Sequence, residues 1–223
     1  MEIAGHPSNR DRHAGQGDRQ FLWRRGVPSP VVTEAADGPS ITGQLALLRE
    51  PLRFPPIEIF PFGDGHVDAL RRSCAADPDI WTIYPVCMAG EHFARTLAML
   101  RGFERWAMMA ICREGRTLGM SSFILPTTGD HLEIGATFLD PSLRGTGCNR
   151  IVKQLMIDRA FALGYQAVEF KVDTRNTRSM RAVEKLGAAL VTVRHRDMKT
   201  WTGHCRDTAV YRLDKMTWQI RRL

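Results

Sequence analysis

The chain has 223 residues, 43% of them hydrophobic and 25% charged, enough for one domain with a substantial core. Its longest apolar run, "WAMMAIC" (106–112), is too short to cross a bilayer, and the first twenty residues lack the apolar segment of a secretory signal. Five cysteines at irregular spacing form neither a disulfide framework nor a zinc motif, and a net charge of +7 without an RNA-binding motif does not by itself make nucleic acid the partner.

These features read as a reduced, cytoplasmic protein with no metal. The charge is unevenly placed. In residues 1–40 five arginines balance five acidic residues, whereas from 190 onward eight Lys/Arg face three Asp. A basic C-terminal region suits a polyanionic ligand or surface, or simply a solvated face.

Residues 1–40 lack periodicity and are rich in Gly, Pro, Arg, Asp and Ser, so a disordered extension is expected, with the folded domain over 41–223. "QLALLRE" (44–50) reads as a first strand. "GDGHVDALRRSCAAD" (63–77) reads as a helix with Asp64 as its N-cap. "DIWTIYP" (79–85) is an aromatic loop or short helix, and "GEHFARTLAMLRGFE" (90–104) carries Phe93, Leu97 and Leu100 at helical spacing. The period then changes. "WAMMAIC" and "TLGMSSFIL" (117–125) form a hairpin, and "HLEIGATFL" (131–139) is a third strand. A helix follows from about 148 to 163, with Val152, Leu155, Met156, Ala160 and Leu163 on its apolar stripe and Gly164 at its stop. "AVEFKV" (167–172) is a strand, "NTRSMRAVEKLG" (176–187) a short helix, and "ALVTVRHR" (189–196) with "CRDTAVYRL" (205–213) a closing hairpin. Such an order makes a mixed sheet in an α/β (α+β) domain.

The most informative stretch is "LDPSLRGTGCNRIVKQLM" (139–156), a strand end, a basic glycine turn and a helix start. Gly145 and Gly147 let a bound group approach the backbone, and amides from Gly145 to Asn149 at a helix start favour an anion. Arg144 adds a charged donor, and Lys153, one turn in, is placed to meet a second phosphate. Neither a Walker loop nor the Rossmann glycine pattern is present.

Taken with "LEIGATFLDPSLRGTGCN", "VEFKVDTRNTRSMRAVEKLGA" and "GHCRDTAVYRL", this turn resembles the GNAT superfamily of acyl-CoA-dependent N-acyltransferases, and within it the RimJ/RimL type. The likeness spans roughly 44–218 and is sharpest over 131–213. It departs from the family pattern at Asn149, where Gly or Ala is common, and at Val183, where a tyrosine is common.

The resemblance implies a GNAT-like, mostly antiparallel sheet with a central splay and helices on both faces. It implies acetyl-CoA as co-substrate, its pyrophosphate on the amides of Arg144, Gly145, Thr146, Gly147, Cys148 and Asn149. Its pantetheine arm would pair with Phe138 and Leu139, its thioester would lie in the splay before "VEFKV", and Asn176 would help hold the arm. The acceptor is then a primary amine, of a protein N-terminus or a small molecule, attacked directly in a ternary complex. A homodimer is left open.

Glu133 is the candidate base, or else a carboxylate that fixes its surroundings. Ser179 aligns with a serine near the leaving thiolate, or makes only a helix-start hydrogen bond. Cys148 is read as inert, His131, His195 and His204 as surface or packing residues, and Asp207 as a structural acceptor. Trp81, Tyr84, His92, Trp106 and Trp201 could line an acceptor groove or belong to the core. The alternative to an enzyme is a non-catalytic acyl-CoA-binding regulatory domain.

Overall fold

The computed structural model describes residues 40–221. The extension expected over 1–40 therefore lies, except for Ser40, outside the described residues.

Among the described residues, eight strands form one sheet in the order β1-β2-β3-β4-β5-β6-β8-β7. They are β1 (Leu52–Phe54), β2 (Ile57–Pro61), β3 (Trp106–Arg113), β4 (Arg116–Ile124), β5 (His131–Leu139), β6 (Ala167–Asp173), β7 (Ala189–Lys199) and β8 (Cys205–Asp214). Every neighbouring pair is antiparallel except β5–β6. The α-helices of the described residues are α1 (Ile41–Leu48), α2 (Val67–Ala75), α3 (His92–Arg101), α4 (Cys148–Ala162), α5 (Thr177–Lys185) and α6 (Lys215–Ile220). A mixed, mostly antiparallel sheet flanked by helices on both faces is the architecture expected from the sequence.

The first element differs. "QLALLRE" is helical, not a strand: Ser40 Oγ accepts the Gly43 N–H at 3.2 Å and starts α1, which buries Leu45 and Leu48 one turn apart. Leu, Ala and Gln are good helix formers, and the run lacks the β-branched and aromatic residues of a strand. The sheet begins instead at β1 and β2, two short strands joined through Pro55 and Pro56. Asp64 does not cap α2 but opens a 3-10 turn (Asp64–His66) ahead of it.

Two apolar clusters cover the two faces. One packs α1, α4, α5 and α6 on Ile57, Ile59, Phe123, Ile134, Phe170 and Tyr211. The other packs α2, α3 and the 3-10 segment Pro78–Ile83 on Met108, Met120 and Phe138.

The sheet divides between β5 and β6. Their parallel pairing covers His131–Ala167, Leu132–Val168 and Glu133–Glu169 and then stops. Beyond that point β6 stays paired with β8 to Asp173, while β5 stays with β4 to Leu139. The cause is a bulge: Ser122 pairs with Gly135 and Met120 with Phe138, so Ala136 and Thr137 together oppose Ser121. Ala136 takes φ +47° there. A bulged strand bends and twists away from its former partner, and a 2.7 Å bond between the Ser121 and Thr137 hydroxyls fixes the bend.

Candidate active site

The opening between β5 and β6 ends at the turn before α4. Asp140 Oδ1 accepts both the N–H (2.9 Å) and the hydroxyl (2.6 Å) of Ser142, shaping a 3-10 turn over Pro141–Leu143. Gly145 and Gly147 follow with φ +76° and +84°, conformations that side-chain-bearing residues rarely adopt. A Cβ at either would meet no protein atom within 4 Å, so their outer surface is open.

Among the described residues, the N–H groups of Gly145, Thr146, Gly147 and Asn149 have no protein acceptor, and that of Cys148 only a 3.5 Å approach to Thr146 Oγ1. The Arg144 N–H is already bonded to Pro141 O at 3.1 Å, so it leaves the cradle predicted from the sequence. Gly147 is the N-cap of the 15-residue α4, whose first turn carries no acidic residue. Free amides and the positive end of a long helix dipole converge on an anion. This is the fit expected of a diphosphate group.

Two side chains assigned to that anion point elsewhere. Arg144 turns inward: it pairs with Asp77, and its Nε donates to Leu139 O at 3.2 Å. It braces the strand end against the 3-10 segment. Lys153 is 6% exposed and donates from Nζ to Thr137 Oγ1 at 2.7 Å, beneath the bulge and away from the loop mouth. Burial pulls its pKa down from 10.5 to about 7.

Phe138 and Leu139 are buried at the end of β5. Asp140 N–H donates to Leu118 O at 2.8 Å, so the pair Leu139–Gly119 is the non-hydrogen-bonded step of the ladder. The Leu139 amide is thereby directed away from β4, toward the side from which β6 has withdrawn. Gly119 allows this close pairing, because a Cβ there would overlap the Phe138 carbonyl oxygen. From the other face Tyr84 donates its hydroxyl to Thr137 O at 2.8 Å, and burial pushes its pKa up to about 12.

Glu133 lies on the face opposite α4, 17% exposed, with Oε2 2.7 Å from Lys171 Nζ. The carboxylate is thus ion-paired with a lysine of β6, at the root of the opening. Asn176 caps α5, its Oδ1 accepting the Ser179 N–H at 3.0 Å. Ser179 is half-buried and its hydroxyl makes no hydrogen bond to the described residues. Val183 is core.

Trp81 is buried and stacks on Phe138 with centroids 4.9 Å apart. Trp201 donates to Trp81 O at 2.8 Å and packs on His92 at 5.4 Å. These with Tyr84 form one aromatic wall, whereas Trp106 packs on Phe103 and does not join it. Asp207 accepts the Arg196 N–H (2.7 Å) and meets His195 (3.0 Å), the structural role expected; these bonds hold its carboxyl below the usual range. The basic C-terminal region is not a uniform face. Arg206 is buried and donates to Lys171 O, and Arg212 pairs with Asp214. Among the described residues no three His, Cys, Asp or Glu side chains converge as a metal site, and no helix is long and apolar enough to cross a membrane.

Sequence reasoning missed Thr137, Ser121 and Lys171, which no motif marks. It also missed the burial of Lys153. The signal was present there, because Lys153 lies at helical spacing with Met156, Ile157 and Ala160, all buried.

The family profile described as "Acetyltransferase (GNAT) domain" matches residues 57–189. A search of curated proteins returns no match. Among solved structures, one assigned as an acetyltransferase is 31% identical, with TM-score 0.69 over 76% of this chain and 89% of that one. Another, from T. thermophilus and assigned likewise, is 30% identical, with TM-score 0.70 over 76% of this chain and 92% of that one. Mycobacterium smegmatis RimJ in complex with CoA-disulfide is 19% identical, with TM-score 0.64 over 74% of this chain and 86% of that one.

Proposed function

The chain belongs to the GNAT acetyltransferase family, and from that premise we propose that it moves an acetyl group from acetyl-CoA to a primary amine by direct attack in a ternary complex. The observation that carries this reading is the row of unbonded amides at Gly145, Thr146, Gly147 and Asn149, set at a helix start beside the divided sheet. Residues 41–223 constitute the transferase domain, of RimJ/RimL type by the motifs over 131–213.

Acetyl-CoA supplies an activated acyl group as its thioester. The loop amides with Cys148 bind the diphosphate. Leu139 turns its main-chain N–H along the opening, as the donor at which negative charge develops, whereas the Phe138 main chain expected to pair with the cofactor arm is turned to Met120 of β4. Asn176 and Ser179 border the far side at the start of α5.

Glu133 accepts the proton of the acceptor nitrogen. An amine of a protein N-terminus (pKa about 7.7–8.0) needs less help than a lysine amine at about 10.4. The Lys171 ion pair holds the carboxylate in place through Oε2, which leaves Oε1 for the proton. Trp201 and His92, which are exposed, wall the acceptor side, backed by Trp81 and Tyr84 of the core cluster.

Calorimetry with acetyl-CoA, paired with a thiol-release assay over N-terminal peptides and small amines, tests the proposal. Binding with turnover on an amine supports it. Binding without turnover on any amine identifies a regulatory acyl-CoA sensor instead.

A further inference from the structure

Lys153 places its charged end where the sheet divides. Its Nζ is 2.7 Å from Thr137 Oγ1 on the β5 bulge and 5.5 Å from the centre of the Phe170 ring. Phe170 is the first β6 residue beyond the last parallel pair. The ammonium thus spans both strands at the root of the opening.

An ammonium has three N–H donors. Thr137 Oγ1 takes one, and the other two have no protein acceptor among the described residues. Thr137 Oγ1 is itself held by Ser121 Oγ at 2.7 Å, so the direction of the amine is fixed. The charged group that acts on Lys153 is Glu133 of β5, itself bonded to Lys171 of β6. A buried charge that is only partly bonded is costly, and an apolar residue would continue the stripe of Met156, Ile157 and Ala160 without that cost. The position is suited to a ligand that becomes negative.

We infer that Lys153 is a catalytic residue on the leaving-group side: its ammonium stabilises the sulfur anion released from the thioester and gives it a proton. The inference rests on the acetyl-CoA reading above. As the acceptor nitrogen bonds to the carbonyl carbon, the C–S bond breaks and its electron pair goes to sulfur. One Nζ–H proton passes to that sulfur, giving the CoA thiol. The neutral amine of Lys153 regains a proton from the one released by the acceptor nitrogen. Val183 stands where a family tyrosine would do this, and Ser179 offers only a neutral hydroxyl at a half-exposed position. A lysine whose pKa is drawn to about 7 transfers a proton readily near neutrality.

The test follows the thiol of bound CoA by its ultraviolet thiolate absorbance across pH, with affinity for CoA and desulfo-CoA measured alongside by calorimetry. In the wild-type protein the bound thiol is expected to titrate roughly one pH unit or more below free CoA, whose thiol lies near the ordinary value of about 8.5. CoA is expected to bind more tightly than desulfo-CoA. Lys153→Met should remove both effects, and Ser179→Ala should leave both in place. A wild-type thiol that titrates as in free CoA overturns the role of Lys153, whatever the folding of the variant. Loss of the shift in Ser179→Ala, with Lys153 intact, overturns it too. Failure of CoA to bind the wild-type protein overturns instead the cofactor reading on which the inference stands.

Discussion

Glu133 Oε2 lies 2.7 Å from Lys171 Nζ, and Glu133 belongs to the last parallel pair before β5 and β6 part. The carboxylate is thereby tethered at the root of the opening, with one oxygen engaged. Replacing it tests its role as base. Glu133→Gln keeps the size and removes the proton acceptor, so turnover should fall by roughly 100-fold or more, the usual scale for a general base. Affinity for acetyl-CoA should change little. Unchanged turnover across pH would leave Glu133 as a structural partner of Lys171.

Gly147 is the N-cap of α4 at φ +84° and faces open space. Gly147→Glu puts a negative side chain into the anion cradle. Like-charge apposition costs several kcal/mol, so affinity for acetyl-CoA should drop by roughly 100-fold or more. Gly147→Ala bears similar backbone strain without the charge and should bind with a smaller loss. Calorimetry on both variants separates charge from strain. Equal losses would place the diphosphate elsewhere.

Lys153 also leaves a mark on stability. Its pKa falls from 10.5 unfolded to about 7 folded, so the unfolded chain binds more protons between those values. The penalty is fully present below about pH 7 and is relieved as pH rises toward the unfolded pKa. Lys153→Met removes it. The variant should therefore gain stability over wild type, by on the order of a few kcal/mol near pH 7 and progressively less toward pH 10. Urea unfolding at several pH values measures the difference, and a pH-independent difference would contradict the burial of a charge at this position.

Gly119 lets β4 approach β5 opposite Leu139, where a Cβ would overlap the Phe138 carbonyl oxygen. Gly119→Ala must push the strands apart, at a cost of about 1–3 kcal/mol. Since Leu139 N–H depends on that register, acetyl-CoA turnover should fall together with thermal stability. A fully stable, fully active variant would mean that the strand end yields without consequence.

Much of this molecule was legible from its residues, for reasons that differ by region. The strands from β3 to β8 and the helices α3, α4 and α5 announce themselves through period and punctuation, as with Gly164 after α4 and Gly187 after α5. The glycine turn before α4 was legible too, because glycine at positive φ ahead of a helix start is a local device. What failed were features set by distant contacts. The helix α1 owes its identity to Ser40 and to the packing of Leu45 and Leu48, and β1–β2 are too short and proline-bound to show alternation. Arg144 was assigned to the ligand from its place in the turn, yet Asp77, distant in sequence, draws it inward. The bulge at Ala136–Thr137 has no residue signature, and the environment of Lys153 depends on it.

On the proposed function, main-chain amides of the turn before α4 grip the diphosphate of CoA. Backbone amide resonances report this directly when CoA is titrated into isotopically labelled protein. The N–H signals of Gly145, Thr146, Gly147, Cys148 and Asn149 are expected to shift together and to saturate with the same affinity that calorimetry gives. Saturable CoA binding that leaves those five signals in place would contradict it.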